Sequence, residues 1–147
     1  MKDVLLAIVI DEYATIEEFA SILAFEQKTL TQADPAEILR PIVEKKTELV
    51  RKLASLEVMR DAQLAEMSLP AGWRGIELAA RRDPKLATQW SLLRQSVERA
   101  HRSNKTNGVL IRIRMEYNQR ALEVLQVRPP KPSLYGPDGR VPGFGRF

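Results

Sequence analysis

Apolar residues recur along this chain at alternating spacings of three and four positions, in three long segments separated by two breaks. Such spacing puts side chains on one face of an α-helix, and when it continues over many turns it favours helices that pack side by side. The first segment predicts a helix over about residues 2–30. Its stripe holds two glutamates among the apolar positions: Val9, Glu12, Ile16, Phe19, Leu23, Glu26 and Leu30.

A helix-start signal, Asp34-Pro35, opens the second segment. Asp is a favourable N-cap, and Pro fits the first helical position. Pro41 follows soon after and removes a backbone donor, so either the helix kinks there or its main part begins at Pro41. We expect a helix over about residues 34–67. Its stripe is Ile42, Leu49, Leu53, Leu56, Gln63 and Met67.

A break rich in proline and glycine, residues 68–83, precedes the longest segment and has room for one or two helical turns from Ile76 to Arg81. Asp83-Pro84 then caps a third long helix, which we expect over about residues 84–127, before Pro129-Pro130 stops it. Its stripe is Leu86, Trp90, Leu93, Val97, His101, Asn104, Gly108, Ile111, Met115, Asn118, Leu122 and Leu125.

Long helices with short connections, in a chain with only 6% aromatic residues, predict an all-α fold. We expect an up-down-up antiparallel bundle of three long helices with coiled-coil-like packing over residues 1–128, followed by a flexible Pro/Gly-rich tail, residues 129–147. The third helix is longer than the second and outruns it near position 117. The apolar residues beyond that point, which include Leu122, Val124, Leu125 and Val127, form a predicted interaction surface.

The sequence offers no catalytic constellation. The absence of cysteine excludes disulfides and thiolate sites, and the only histidine, His101, lacks the second Glu-x-x-His unit that a di-iron bundle needs. No glycine-rich loop matches a phosphate-binding motif. The apolar run Val4–Ile10 is too short for a signal peptide or a transmembrane helix. We therefore expect a protein that is not an enzyme, needs no cofactor or metal and does not insert into a membrane.

At the centre of the third stripe, His101, Asn104 and Gly108 stand where apolar residues would pack better, and Asn107 precedes Gly108. Polar positions in a helical seam commonly fix the register and orientation of the helices at some cost in stability. A glycine inside a helix costs about 1 kcal/mol relative to alanine, so Gly108 is expected where a neighbouring backbone or bulky side chain comes close. Asn104, Asn107 and Gly108 form a predicted register and packing motif.

The charge is uneven, since residues 94–147 hold 11 Lys and Arg against 4 Asp and Glu. A basic half keeps nucleic acid and acidic protein surfaces open as partners. The basic residues of the third helix are spread around it and are interrupted by glutamates, which argues against a nucleic-acid footprint. A basic nucleic-acid-binding protein and a self-associating coiled coil remain the alternatives to a binding module for another protein.

Two stretches near the C-terminus, SNKTNGVLIRIRMEYNQRALEVLQ and LYGPDGR, resemble the FlgN family of flagellar type III export chaperones. The matching motifs are Asn-x-x-Asn-Gly at residues 104–108, Gln-x-Ala-Leu-x-x-Leu at 119–125 and Leu-Tyr-Gly-x-Asp-Gly at 134–139. The resemblance implies a cytoplasmic chaperone that binds the C-terminal helical regions of the hook-associated proteins FlgK and FlgL. It also implies delivery of these clients to the cytoplasmic domain of the export gate protein FlhA.

The resemblance assigns two groups of site residues. Docking on the export gate is implied for the tail tyrosine and its neighbours, Leu134, Tyr135 and Gly136. Client binding is implied for the C-terminal part of the third helix, roughly Val109 to Val127. Within it, the stripe supplies the candidates Ile111, Met115, Asn118, Leu122 and Leu125.

Overall fold

The structure, a computed structural model, describes residues 2–32 and 36–124. It contains four helices: α1 (Lys2–Leu30), α2 (Ala36–Glu66), α3 (Trp73–Ala80) and α4 (Pro84–Val124). Within these ranges there is no strand, so the predicted all-α class is confirmed. None of these helices combines the length and the apolar character that crossing a membrane requires, as far as the chain is described.

Helix α1 lies at the centre and packs along both α2 and α4. It runs antiparallel to α2, because Glu26 pairs with Lys46 while Glu12 pairs with Arg60, further along α2. It runs parallel to α4, since contacts from Glu17 and from Leu30 reach successively later residues of that helix. The helix lengths predicted α2 as the main neighbour of α4, whereas the structure makes α1 its principal neighbour.

The core follows the stripe predicted for α1. All seven of its positions are buried, including the two glutamates. Phe19, Leu23 and Val9 have no solvent exposure, and each fully buried side chain of this kind contributes about 1.5–3 kcal/mol. The spacing of α1 therefore located its buried face correctly.

Pro41 does not begin the main part of α2, because the helical turn Ala36–Arg40 precedes it. The interpretation that started the helix at Pro41 is wrong. The proline lies close to the start of the helix with its side chain exposed, so it removes one backbone hydrogen bond and its ring meets solvent.

The break between α2 and α4 contains α3, which begins at Trp73 rather than at Ile76 and packs against α4. Leu69 N–H donates to the Leu64 carbonyl at 2.9 Å and closes the end of α2. Gly75 is required here, since a Cβ at this position would lie 1.8 Å from the Pro70 carbonyl oxygen. The glycine thus lets α3 fold back against the end of the preceding loop.

Within the described residues, the buried stripe of α4 differs from the prediction at two positions, because Ser96 is buried while its neighbour Val97 is half-buried, and Ala100 replaces His101. Ala100 is fully buried and His101 is exposed, so the assignment of His101 to the stripe is wrong. The stripe passes from Leu93 through Ser96 to Ala100 and Asn104. The small side chain of Ala100 fits where α1 and α4 approach each other, and the His101 imidazole is exposed to solvent.

Candidate functional site

A layer of buried polar side chains joins α1, α2 and α4 at one level of the bundle. Lys46 Nζ donates to both carboxylate oxygens of Glu26, at 3.1 and 3.0 Å, and to Asn104 Oδ1 at 3.3 Å. Asn107 Nδ2 donates to Glu26 Oε1 at 2.9 Å and to the Leu23 carbonyl at 2.8 Å. Four of these side chains, Glu26, Lys46, Asn104 and Asn107, are at most 4% exposed.

This polar layer gathers two of the three residues of the predicted register motif. Asn104 and Asn107 contact the buried ion pair directly, and Gly108 is buried beside them. A buried carboxylate and ammonium are stable only with their partners in place, so sliding one helix along another would leave charges unpaired. Lys46 is not one of the predicted stripe residues of α2, although its position continues that stripe.

A second buried ion pair joins α1 to α2 below the polar layer. Arg60 Nη1 donates to Glu12 Oε2 at 2.6 Å, and both residues are about 5% exposed. Burial raises the pKa of the Glu12 carboxyl from 4.5 to about 7, against the opposing effect of the Arg60 guanidinium, and the negative charges of Glu57 and Asp61 add to the increase. Near neutral pH this carboxyl therefore exists in both protonation states.

Helix α4 continues past the end of α1. Arg114 Nη1 donates to the carbonyl of Leu30, the last residue of α1, at 2.9 Å. Ten further residues of α4 then extend to Val124, a length of about 15 Å. From Glu116 to Val124 every side chain that the structure describes is exposed. We call residues 115–124 the α4 overhang.

The candidate client-binding residues fall on both sides of the point where the overhang begins. Ile111 is 3% exposed and belongs to the core, so it is not available at the surface. Met115 is half-buried and packs against the core. The side chains of Asn118 and Leu122, together with Leu125, lie outside the described residues. The same holds for the predicted docking residues Leu134, Tyr135 and Gly136.

Other exposed apolar side chains of α4 lie on a different face from the stripe. Ile113 is 57% exposed and Val124 is 82% exposed. The two are eleven residues apart, about three helical turns, and therefore share a face. In the sequence, Leu122 comes two positions before Val124, a spacing of about 200° on an α-helix. Helical spacing therefore predicts that substitutions at Leu122 and at Val124 fall on different faces.

Comparison with known proteins gives a consistent result over most of the chain. The family model described as FlgN protein matches residues 1–143. The flagella synthesis protein FlgN of Yersinia enterocolitica is 30% identical over 129 residues, which cover 87% of this chain and 82% of the relative. The flagella synthesis protein FlgN of Salmonella typhimurium is 28% identical over 136 residues, covering 90% and 87%. No solved structure matches the chain significantly.

Lys46→Met should destabilise the protein strongly, because it leaves the Glu26 carboxylate buried without its ammonium partner. Removing one member of a buried ion pair costs about 3–5 kcal/mol. The matched control is Lys45→Met, since the neighbouring lysine pairs with Glu18 at 3.2 Å on the surface. Urea unfolding should show a large loss for Lys46→Met and almost none for Lys45→Met. Equal losses of unfolding free energy in the two variants would show that the buried polar layer does not make Lys46 more important to stability than Lys45.

Glu12 should make the free energy of unfolding depend on pH. Because its pKa is raised in the folded state, the folded protein binds the proton more tightly, and this stabilisation is lost as pH rises from about 4.5 to about 7. Glu12→Gln removes the titration and leaves all other groups in place. The difference in unfolding free energy, wild type minus Glu12→Gln, should fall by about 1–3 kcal/mol over this range in urea titrations. A difference that rises with pH would mean that Arg60 lowers the pKa instead.

Proposed function

The chain belongs to the FlgN family, and from this premise we propose that it is a cytoplasmic export chaperone of the flagellar type III secretion system. It binds the C-terminal helical regions of the hook-associated proteins FlgK and FlgL, keeps them unassembled and delivers them to the export gate protein FlhA. The observation that carries this proposal is the α4 overhang, where a long helix continues beyond the helix that covers it.

The overhang suits the addition of a client helix. Upstream of Arg114, α4 packs its stripe against α1. Downstream, the same spacing continues in the sequence through Asn118, Leu122 and Leu125, where α1 has ended. An amphipathic client helix placed in line with α1 would meet this stripe as α1 meets the earlier part. Recognition of an amphipathic helix through apolar anchors at helical spacing is a common mode of peptide binding.

Holding a client in this way needs burial of apolar surface and no chemical step. The client's assembly helices are themselves amphipathic in this proposal, so covering their apolar faces prevents premature association. Release of the client at the gate requires a contact between chaperone and gate that competes with client binding. We assign this contact to the tail, residues 129–147. Residues 1–143 match the FlgN family, a range that includes Leu134, Tyr135 and Gly136. In the sequence, Tyr135 precedes Gly136-Pro137-Asp138-Gly139, residues that favour a tight turn.

The client-binding face is tested by two matched double variants in the same helix. Leu122→Asp with Leu125→Asp places charges on the stripe, whereas Ile113→Asp with Val124→Asp places them on the other apolar face. We expect the first to reduce binding of the FlgK C-terminal region by about tenfold or more, because the charges would have to be desolvated on binding. The second should bind within about threefold of wild type.

Co-purification and titration with tagged FlgK C-terminal region measure this, and circular dichroism checks that both variants stay helical. Loss of binding in the Ile113 and Val124 variant alone would move the client to the opposite face. Full binding by both variants would remove the overhang as the client site. Sedimentation of the free protein addresses self-association: a dimer that the Leu122 and Leu125 variant dissociates would favour the coiled-coil alternative.

Tyr135→Ala tests gate docking separately from client binding. We expect client affinity to be unchanged, since the stripe is intact, and affinity for the cytoplasmic domain of FlhA to fall by about tenfold, as for an aromatic anchor of an interface. Tyr135→Phe is the matched control and shows whether the ring suffices without the hydroxyl. Unchanged affinity of Tyr135→Ala for FlhA in a pull-down titration would reject the docking role of this residue.

A further inference from the structure

A cleft of about 350 Å³ lies between all four helices, well away from the overhang. Its floor is apolar and formed by α1, α2 and α4, and Trp73 of α3 forms one wall. The indole of Trp73 meets that of Trp90 edge to face, with ring centroids 5.2 Å apart. We call this space the Trp cleft. The residues that line it are Glu12, Ile16, Leu53, Glu57, Arg60, Gly72, Trp73, Trp90, Leu93 and Val97.

Unpaired polar atoms are concentrated at the Trp cleft. In the described part of the chain, four buried side-chain polar atoms have no hydrogen-bond partner, and three of them belong to residues that line this cleft. They are Glu12 Oε1, Arg60 Nε and Trp90 Nε1. Arg60 Nε is 3.9 Å from the nearest Asp61 oxygen, too far for a hydrogen bond. Native proteins pair nearly all such atoms, with protein groups, water or a ligand, so three at one place need an explanation.

The hydrogen-bonding capacities of the three atoms indicate which chemical group could bind them. Arg60 Nε and Trp90 Nε1 are donors, and Glu12 Oε1 is an acceptor when the carboxyl is ionised. A peptide amide offers a carbonyl oxygen with two acceptor lone pairs and one N–H donor. One amide can therefore satisfy all three atoms, while the apolar floor receives a side chain attached to it. The volume also falls within the usual range for ligand sites, about 300–1,000 Å³.

We propose that the Trp cleft is a second protein-binding site, which takes a large apolar side chain of a partner polypeptide together with the adjacent main-chain amide. The three unpaired atoms are closed to solvent, so the partner reaches them when Trp73 moves aside. Trp73 is suited to this movement because it is 45% exposed and lies at the start of α3, a helix of eight residues. The preceding Gly72 has φ +80° and no capping side chain of its own, and its N–H donates to Asp61 Oδ1 of α2 at 2.9 Å.

The Trp cleft and the overhang are separate along α4. Arg114, which contacts the end of α1, is seventeen positions after Val97 of the cleft along α4, a distance of about 25 Å. A partner in the cleft would therefore leave the stripe at Leu122 free. The site goes beyond the proposed function, since it adds a partner that neither client binding nor the tail accounts for.

The two tryptophans of the chain are both in the cleft, which provides a direct readout. In a ¹H–¹⁵N spectrum of the full chain they yield two indole signals, and Trp73→Phe assigns them. We expect N-acetyl-leucine N-methylamide to shift the Trp90 indole signal saturably, with a dissociation constant of about millimolar, as suits a small probe. The matched probe N-acetylglycine N-methylamide keeps the amide and lacks the apolar side chain. It should bind about tenfold more weakly.

Trp90→Phe keeps the aromatic ring and removes the donor. It should weaken binding of the leucine probe about threefold to tenfold, followed at the Trp73 signal. If this variant does not fold, the comparison of the two probes on the wild type decides alone. The proposal is overturned if neither indole signal moves up to the solubility limit, or if both probes bind equally. Indole signals that shift on dilution without probe would mean that a second copy occupies the cleft, which also overturns it.

A further variant separates this test from that of the proposed function. Leu122→Asp with Leu125→Asp should leave the probe-induced shift of Trp90 unchanged, because the substituted positions lie far along α4. A probe that binds the cleft while FlgK still binds the double variant would reject the overhang and retain the cleft. If the probe no longer shifts the Trp90 signal in the double variant, the probe binds at the overhang and not in the cleft, which would overturn the cleft site.

Discussion

The buried pair of Lys46 and Glu26, with Asn104 and Asn107 around it, holds the three long helices at one level. Apolar stripes alone permit helices to slide by a turn with little loss of contact, whereas buried charges tolerate no such shift. With α1 and α4 held at this layer, the end of α1 at Leu30 comes to Arg114. The length of α4 left beyond that contact is therefore a consequence of the polar layer, and the layer connects the core to the proposed client surface.

The sequence contained the signal for both buried ion pairs. In α1 the stripe included Glu12 and Glu26, and both are buried as its spacing predicts. In α2 the positions of Lys46 and Arg60 complete an unbroken alternation of three and four between Ile42 and Met67. A search for apolar residues passes over them because they are charged. Two acids in one stripe and two bases in the antiparallel stripe form a complementary pattern, and reading charge along with spacing would have found both pairs.

Other features required the relative positions of helices, which spacing does not determine. Ala100 and His101 are adjacent, and which of them enters the core depends on how closely α1 approaches α4. Ile111 belongs to the same predicted stripe as Leu122, since identical spacing marks a residue that packs within the chain and one that we propose binds a partner. The position at which α1 ends, next to Arg114, is what separates stripe residues within the bundle from stripe residues beyond it. The Trp cleft is less predictable still, because Trp73 comes from a break rich in proline and glycine and the residues around it come from the three long helices.

A binding surface that continues a core stripe has a thermodynamic advantage for a chaperone. The part of α4 that packs on α1 is already ordered by the bundle, so the following turns extend from a fixed start, and a client helix has less conformational entropy to offset than it would against an isolated helix. The described part of the overhang, residues 115–124, offers about 15 Å of helix to the proposed client. In the proposed function the client must be held less firmly than α1, because a client held as firmly as α1 could not be released at a gate. A binding site elsewhere on the bundle, such as the Trp cleft, can then engage a second partner without competing for the same surface.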